Sequence, residues 1–135
     1  MINPEKTERL AKANQAIEII ARFGRKFFSH HLFITRLELD QRGLVWLIDG
    51  YSHKRIYPYG NHRWKGFSEG GTLRALIIAL RNYISKGDLV PPQHFGPWPK
   101  WYSEGEPWGY GEDMVKVREE VGKLGILEVV GEREE

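Results

Sequence analysis

Asp40-Gln41-Arg42-Gly43-Leu44-Val45-Trp46-Leu47-Ile48-Asp49-Gly50 is the stretch that decides the fold. It holds a short apolar run between two turn signals. The first signal ends in Gly43, the pattern of a three-residue hairpin loop closed by a left-handed glycine. The second, Asp49-Gly50, reads as a two-residue hairpin turn that needs positive φ at both places. Two hairpins in succession predict a three-stranded antiparallel meander, with strands over 32–40, 44–48 and 51–59.

Hairpin loops also fix register. With Gln41, Arg42 and Gly43 in the first loop, Leu39 faces Val45 and Leu37 faces Leu47. With Asp49-Gly50 as the second, Ile48 faces Tyr51, Trp46 faces His53 and Leu44 faces Arg55. Side chains alternate along a strand, so the two sides of the sheet separate by character. One side gathers Phe33, Thr35, Leu37, Leu39, Val45, Leu47 and Ile56, a core side for helices to cover. The other gathers Arg36, Glu38, Trp46, Ile48, Tyr51, His53, Arg55, Tyr57 and Tyr59, which is aromatic and mildly basic.

Helices flank the meander. Asn3-Pro4 is a helix start with proline in the first turn. Leu10, Ala13, Ile17 and Ile20 continue one apolar stripe to Phe23, and Gly24 supplies a stop, so the first helix is placed at 4–23. Downstream, residues 66–84 read as a glycine-hinged turn feeding an amphipathic helix. Leu73, Leu76, Ile77, Leu80 and Ile84 share a face, Ser68 or Thr72 can cap the start, and Gly87 lies just past the end. This second helix is the expected centre of the fold. A third helix is expected over 112–125, with Met114, Val117, Val121 and Leu124 on one face and Gly125 as its stop, packed at an edge of the sheet. The tail 131–135 is expected to fray.

The expected class is therefore α+β in one domain over 1–135. Its α-β-β-β-α core spans 4–86: a three-stranded antiparallel meander with two helices on one face. Residues 88–111 stand apart from that pattern. They hold five of the seven prolines and three of the five tryptophans, Trp98, Trp101 and Trp108. An aromatic content this high predicts a packed or partner-binding wrap rather than a disordered linker.

Composition bounds the function. The chain has 135 residues, 41% of them hydrophobic and 28% charged, the balance of a soluble globular domain. No apolar run approaches a membrane span, and Met1-Ile2-Asn3-Pro4-Glu5 does not read as an export signal, so a cytoplasmic protein is expected, with no membrane partner. There is no cysteine, which excludes a disulfide frame and a thiolate zinc site. Net charge is +2, but it is unevenly placed. Residues 22–66 carry nine Lys/Arg against three Asp/Glu, and residues 101–135 carry four against ten. The basic stretch coincides with the meander.

Catalytic patterns are missing. His30, His31, His53, His62 and His94 show no spacing that ties them to a nucleophile or carboxylate, and there is no G-x-S-x-G, H-E-x-x-H or P-loop. Asp49, His53 and His62 could approach one another near the sheet edge, but histidines beside tyrosines are usually surface or packing residues. Gly70-Gly71-Thr72 could present backbone N–H groups to a phosphate, helped by Arg63, Lys65 and Arg74. A turn capped by its own side chains is the favoured reading. No catalytic residue, metal or cofactor is expected.

What remains is a binding protein. Rings stack on bases and arginines meet phosphates, so the outer sheet face suits nucleic acid through Arg36, Trp46, Tyr51, His53, Arg55 and Tyr57, with Arg63 and Lys65 beside it. The alternative is a protein-interaction module, a small inhibitor or adaptor of the kind mobile elements encode, anchored by Trp98, Trp101 and Trp108 within 95–110. Oligomeric state is left open.

Over residues 4–86 the order helix, three strands, helix resembles that of double-stranded-RNA-binding domains. Those domains carry a lysine-rich helix start where this chain reads Ser68-Glu69-Gly70-Gly71-Thr72. The second and third strands with the second helix are similar to the three-stranded-sheet DNA readers of the AP2 and integrase arm-binding type. That likeness implicates Arg36, Trp46, His53, Arg55 and Tyr57. Element order alone carries both resemblances, and neither includes 88–111, so no family is assigned from them.

Overall fold

The computed structural model describes residues 4–23, 29–30, 33–50, 52–59, 71–95 and 112–128. In chain order these form α1 (Pro4–Phe23), β1 (Ser29–His30), β2 (Phe33–Ile34), β3 (Arg36–Leu39), β4 (Val45–Ile48), β5 (Arg55–Ile56), α2 (Gly71–Lys86), a 3₁₀ turn (Pro92–Phe95) and α3 (Glu112–Gly122). The fold is α+β, with three helices and a three-stranded antiparallel sheet in the order β3-β4-β5. Among the described residues no helix is long and apolar enough to cross a membrane.

α2 packs against α1, β4 and the 3₁₀ turn and buries Leu76, Ile77, Leu80, Tyr83 and Ile84. α1 shares the centre with it, packing against α2, α3 and β3. The makeup of the buried stripe of α1 allows this: Ala13 and Ala16 are small enough for close approach, and Ile17 and Ile20 fill the space beside them. Polar side chains of α1 tie down three neighbours. Lys6 Nζ donates to Gly43 O at 3.2 Å, Arg9 Nε to Ile84 O at 3.0 Å, and Asn14 bonds the backbone of Leu37. The Arg9 bond satisfies a carbonyl in the last turn of α2, where Gly87 N–H also closes on Tyr83 O at 2.8 Å.

The β3–β4 hairpin has the register read from its turn: Leu37 opposes Leu47 and Leu39 opposes Val45. Gly43 adopts φ 83°, and Asp40 and Leu44 close the loop backbone to backbone. The next hairpin differs. Ile48 opposes Arg55 rather than Tyr51, a slip of four residues. Asp49-Gly50 is not a two-residue turn, because its polar atoms are taken by other partners. Gly50 N–H donates to the buried Thr35 Oγ1 at 2.9 Å. The Asp49 carboxylate accepts from Ser52 N–H at 2.9 Å and Ser52 Oγ at 2.7 Å, and His53 N–H closes on Asp49 O at 2.7 Å. The loop therefore runs from Asp49 to Lys54, and the left-handed position falls on His53, φ 63°. The third strand contracts from 51–59 to Arg55–Ile56.

The first strand also departs from expectation. The run 32–40 breaks at Thr35 into β2 and β3, and β2 pairs with β1 in a separate two-stranded ribbon. Phe33, expected on the core side, is 52% exposed, while Thr35 is buried.

The core lies between the inner face of the sheet and the helices. Leu37, Val45, Leu47 and Ile56 meet Ile17 and Ile20 of α1 and Leu76, Ile77, Leu80 and Ile84 of α2 in one cluster. α3 packs on α1 and the 3₁₀ turn rather than at a sheet edge as expected, burying Val117 and Val121. Its helix ends at Gly122, with a turn through Gly125. The start of the expected wrap is structured. Val90 bridges Leu127 in parallel, with Val90 N–H on Ile126 O at 2.8 Å and Glu128 N–H on Val90 O at 2.9 Å. Phe95 then enters the core from the 3₁₀ turn. Residues 96–111 and the tail 131–135 lie outside the described residues.

Candidate functional site

The outer face of the sheet is built from cross-strand rows. Arg36, Ile48 and Arg55 form one row, and Glu38 faces Trp46 in the next. An even slip keeps every β5 side chain on its original side, so Arg55 and Tyr57 still share the face with Trp46. The new register brings Tyr57 rather than His53 beside Trp46, with ring centres 4.9 Å apart and planes inclined 54°. Tyr57 in turn meets Tyr59 at 4.6 Å and 40°.

Arginines close both ends of this row of rings. Arg55 Cζ stands 4.1 Å from the Trp46 ring centre, and Arg81 Cζ stands 4.7 Å from that of Tyr59. Each contact is worth about 0.5–1 kcal/mol at an accessible site. The order is thus cation, ring, ring, ring, cation, from Arg55 and Trp46 on the outer face to Tyr59, which is half-buried and also packs against the core, and Arg81 of α2. Tyr57, in the middle, is 45% exposed.

Polar bonds hold the ends in place. Trp46 Nε1–H donates to Asp40 Oδ2 at 3.0 Å, while Arg42 N–H and Leu44 N–H donate to Oδ1 at 2.8 and 2.9 Å. The Trp46 bond, with the Leu44 and Arg42 amides behind it, holds the Asp40 carboxyl below the usual carboxylate range. Tyr59 Oη accepts from Val45 N–H at 3.0 Å, beyond the end of the short strand β5. Arg81 Nη1 donates to Pro58 O at 2.6 Å, and Asn82 Oδ1 accepts from its Nη2 at 3.1 Å. These acceptors are neutral, so neither bond is an ion pair. Among the described residues neither Arg55 nor Arg81 has a carboxylate partner; Arg36 does, with Nη2 2.7 Å from Glu38 Oε2.

The expected site residues divide accordingly. Trp46, Arg55 and Tyr57 come together. Arg36 lies on the same face but is engaged by Glu38. His53 is a correction: it sits in the loop, with its ring 4.2 Å from that of Phe33. Tyr51, Arg63 and Lys65 lie outside the described residues, as do Trp98, Trp101 and Trp108 of the alternative. Arg81 was not expected. It follows Leu80 of the apolar stripe, so the sequence places it beside that stripe, but only the packing of α2 brings it onto Tyr59.

A concavity of about 340 Å³ lies between Ala75, Ile78 and Ala79 of α2 and the segment carrying Leu89 and His94. Burial pushes the His94 imidazole below its ordinary value, and Glu128 opposes that. Among the described residues no group of three or more His, Asp or Glu side chains is arranged to hold a metal ion.

No curated protein and no solved structure matches the chain. A family model, YoqU, matches residues 3–133. That match takes in almost the entire sequence, and the chain belongs to the YoqU family.

Proposed function

We propose that this is a non-enzymatic binding protein that receives nucleic acid on the outer face of its sheet. The observation that carries the reading is the row Arg55, Trp46, Tyr57, Tyr59, Arg81: three rings in contact with an arginine over each end. Bases stack on rings, and arginine offers phosphates a charge together with planar donors. Among the described residues neither arginine pairs with a carboxylate, and the central ring is open to solvent. The sequence stretch 22–66, which includes the sheet, carries nine Lys/Arg against three Asp/Glu, an excess that favours a polyanionic partner.

Anisotropy titrations of a labelled oligonucleotide across a salt series test the proposal. The logarithm of affinity should fall linearly with the logarithm of salt concentration. Arg55→Gln should reduce that slope by about 0.7–0.9, the share of one phosphate contact. Absence of binding at low salt removes the proposal.

A further inference from the structure

We infer that the nucleic acid taken by this face is a single strand, held by stacking of unpaired bases about Tyr57, rather than a duplex. The inference rests on the nucleic-acid reading above. Three features of the face carry it.

The rings come first. Within a duplex the flat sides of the bases are covered by their neighbours, so a ring on a protein surface meets only backbone and groove edges. Tyr57 presents an open ring between Trp46 and Tyr59, with both flanking rings tilted away from coplanarity by 54° and 40°. This makes a corrugated surface on which splayed bases can lean one after another, and it offers a paired stack little to hold.

Charge placement points the same way. Duplex DNA brings one negative charge per roughly 1.7 Å of axis, on two phosphate ridges. The described face answers with two uncompensated cations, Arg55 and Arg81, at the ends of the row. Arg36, the arginine in the same cross-strand row as Arg55, is drawn onto Glu38 by two bonds to the same oxygen, at 3.0 and 2.7 Å. Glu38 lies directly across from Trp46, and Asp40 is held ionised by Trp46 Nε1–H. Glu38 and Arg36 cancel each other, and Asp40 keeps a negative charge beside the rings, so the middle of the face offers a phosphate ridge no net attraction. A flexible strand can pass its phosphates over the terminal arginines and its bases over the rings.

Arginine placement is the third feature. Arg55 Cζ stands 4.1 Å from the Trp46 ring centre and Arg81 Cζ 4.7 Å from that of Tyr59, so each cation adjoins a stacking surface. An arginine beside a ring can bond the phosphate next to a base stacked there.

The test compares three probes of equal length by anisotropy at low salt: oligothymidine, the same strand annealed to oligoadenine, and an abasic strand. Oligothymidine should bind at least about tenfold more tightly than either of the others. Tyr57→Ala should weaken oligothymidine binding about five- to hundredfold, and Tyr57→Phe should restore it, since the ring rather than the hydroxyl stacks. An unchanged melting temperature for both variants shows that the fold is intact. Equal binding of the duplex, equal binding of the abasic strand, or full affinity of a folded Tyr57→Ala each overturns the inference while leaving the nucleic-acid reading standing. Failure of all three probes to bind removes that reading itself, and this inference with it.

Discussion

Asn14 and Leu37 exchange two hydrogen bonds across the boundary between helix and sheet: Leu37 N–H donates to Asn14 Oδ1 at 2.7 Å, and Asn14 Nδ2 donates to Leu37 O at 3.0 Å. β3 is an edge strand, and an open edge invites pairing with other chains. The amide of α1 stands where the next strand's backbone would be. One side chain thus anchors α1 and blocks the sheet edge.

Asn14→Leu should therefore cost about 1–3 kcal/mol in urea unfolding, because it orphans a donor and an acceptor together. Asn14→Asp should fall between, since a carboxylate still accepts from Leu37 N–H but cannot donate to Leu37 O. Light scattering on warming should rise most for the leucine variant. Wild-type stability in Asn14→Leu would show that water replaces the amide without loss.

Gly43→Ala tests the first reversal. A non-glycine residue in the left-handed region costs about 1–2 kcal/mol. An added Cβ would also stand 3.0 Å from Lys6 Nζ, which must shift and weaken its bond to Gly43 O. Gly125 shares the conformation, φ 76°, but has open space around it. Gly43→Ala should thus lower the unfolding midpoint more than Gly125→Ala. The reverse order would mean that Lys6 contributes nothing to the loop.

Gly43 and Asp49-Gly50 mark what the sequence could and could not carry. Gly43 was legible because its turn is local: four consecutive residues hold nearly all the information, and the β3–β4 register followed. Asp49-Gly50 presents an equally local signal and misleads. Its outcome depends on Thr35, fifteen positions away, capturing the Gly50 amide, and on Ser52 capturing the Asp49 carboxylate. The face assignment survived the slip because four is even. Trp46, Arg55 and Tyr57 therefore met as expected, although with different opposite numbers. Arg81 was illegible because it reaches the site only through the angle at which α2 crosses the sheet. The Asn14 bonds were illegible too: a polar residue beside the apolar stripe of a helix reads simply as solvent-facing.

Core substitutions probe the two central helices. Leu76→Ala on α2 removes a fully buried side chain and should cost about 2–5 kcal/mol. Ala16→Leu on α1 adds bulk where the helix lies close to its neighbours, and should cost about 1–3 kcal/mol through overpacking. Both are read from denaturant midpoints at constant m-value. A neutral Ala16→Leu would mean that α1 has slack beside it and does not share the centre.

His94 supplies the pH prediction. Its folded-state value lies below the ordinary one because burial disfavours the imidazolium, and Glu128 partly offsets this. The unfolded chain therefore takes up a proton first as pH falls. Stability from this group is fully present above about pH 6.5 and is lost as pH falls toward and through the folded value. The carboxylates of Asp88 and Glu128 line the same concavity, and only Glu128 bears on the imidazole charge. The melting temperature should drop between about pH 7.5 and about pH 5.5, well above the range in which Asp40 is protonated. His94→Gln should flatten that drop. Glu128→Gln should steepen it, since losing the favourable carboxylate pushes the imidazole value further down. Parallel pH profiles for wild type and His94→Gln would show that the imidazole charges in place at no cost, and that burial does not set its protonation.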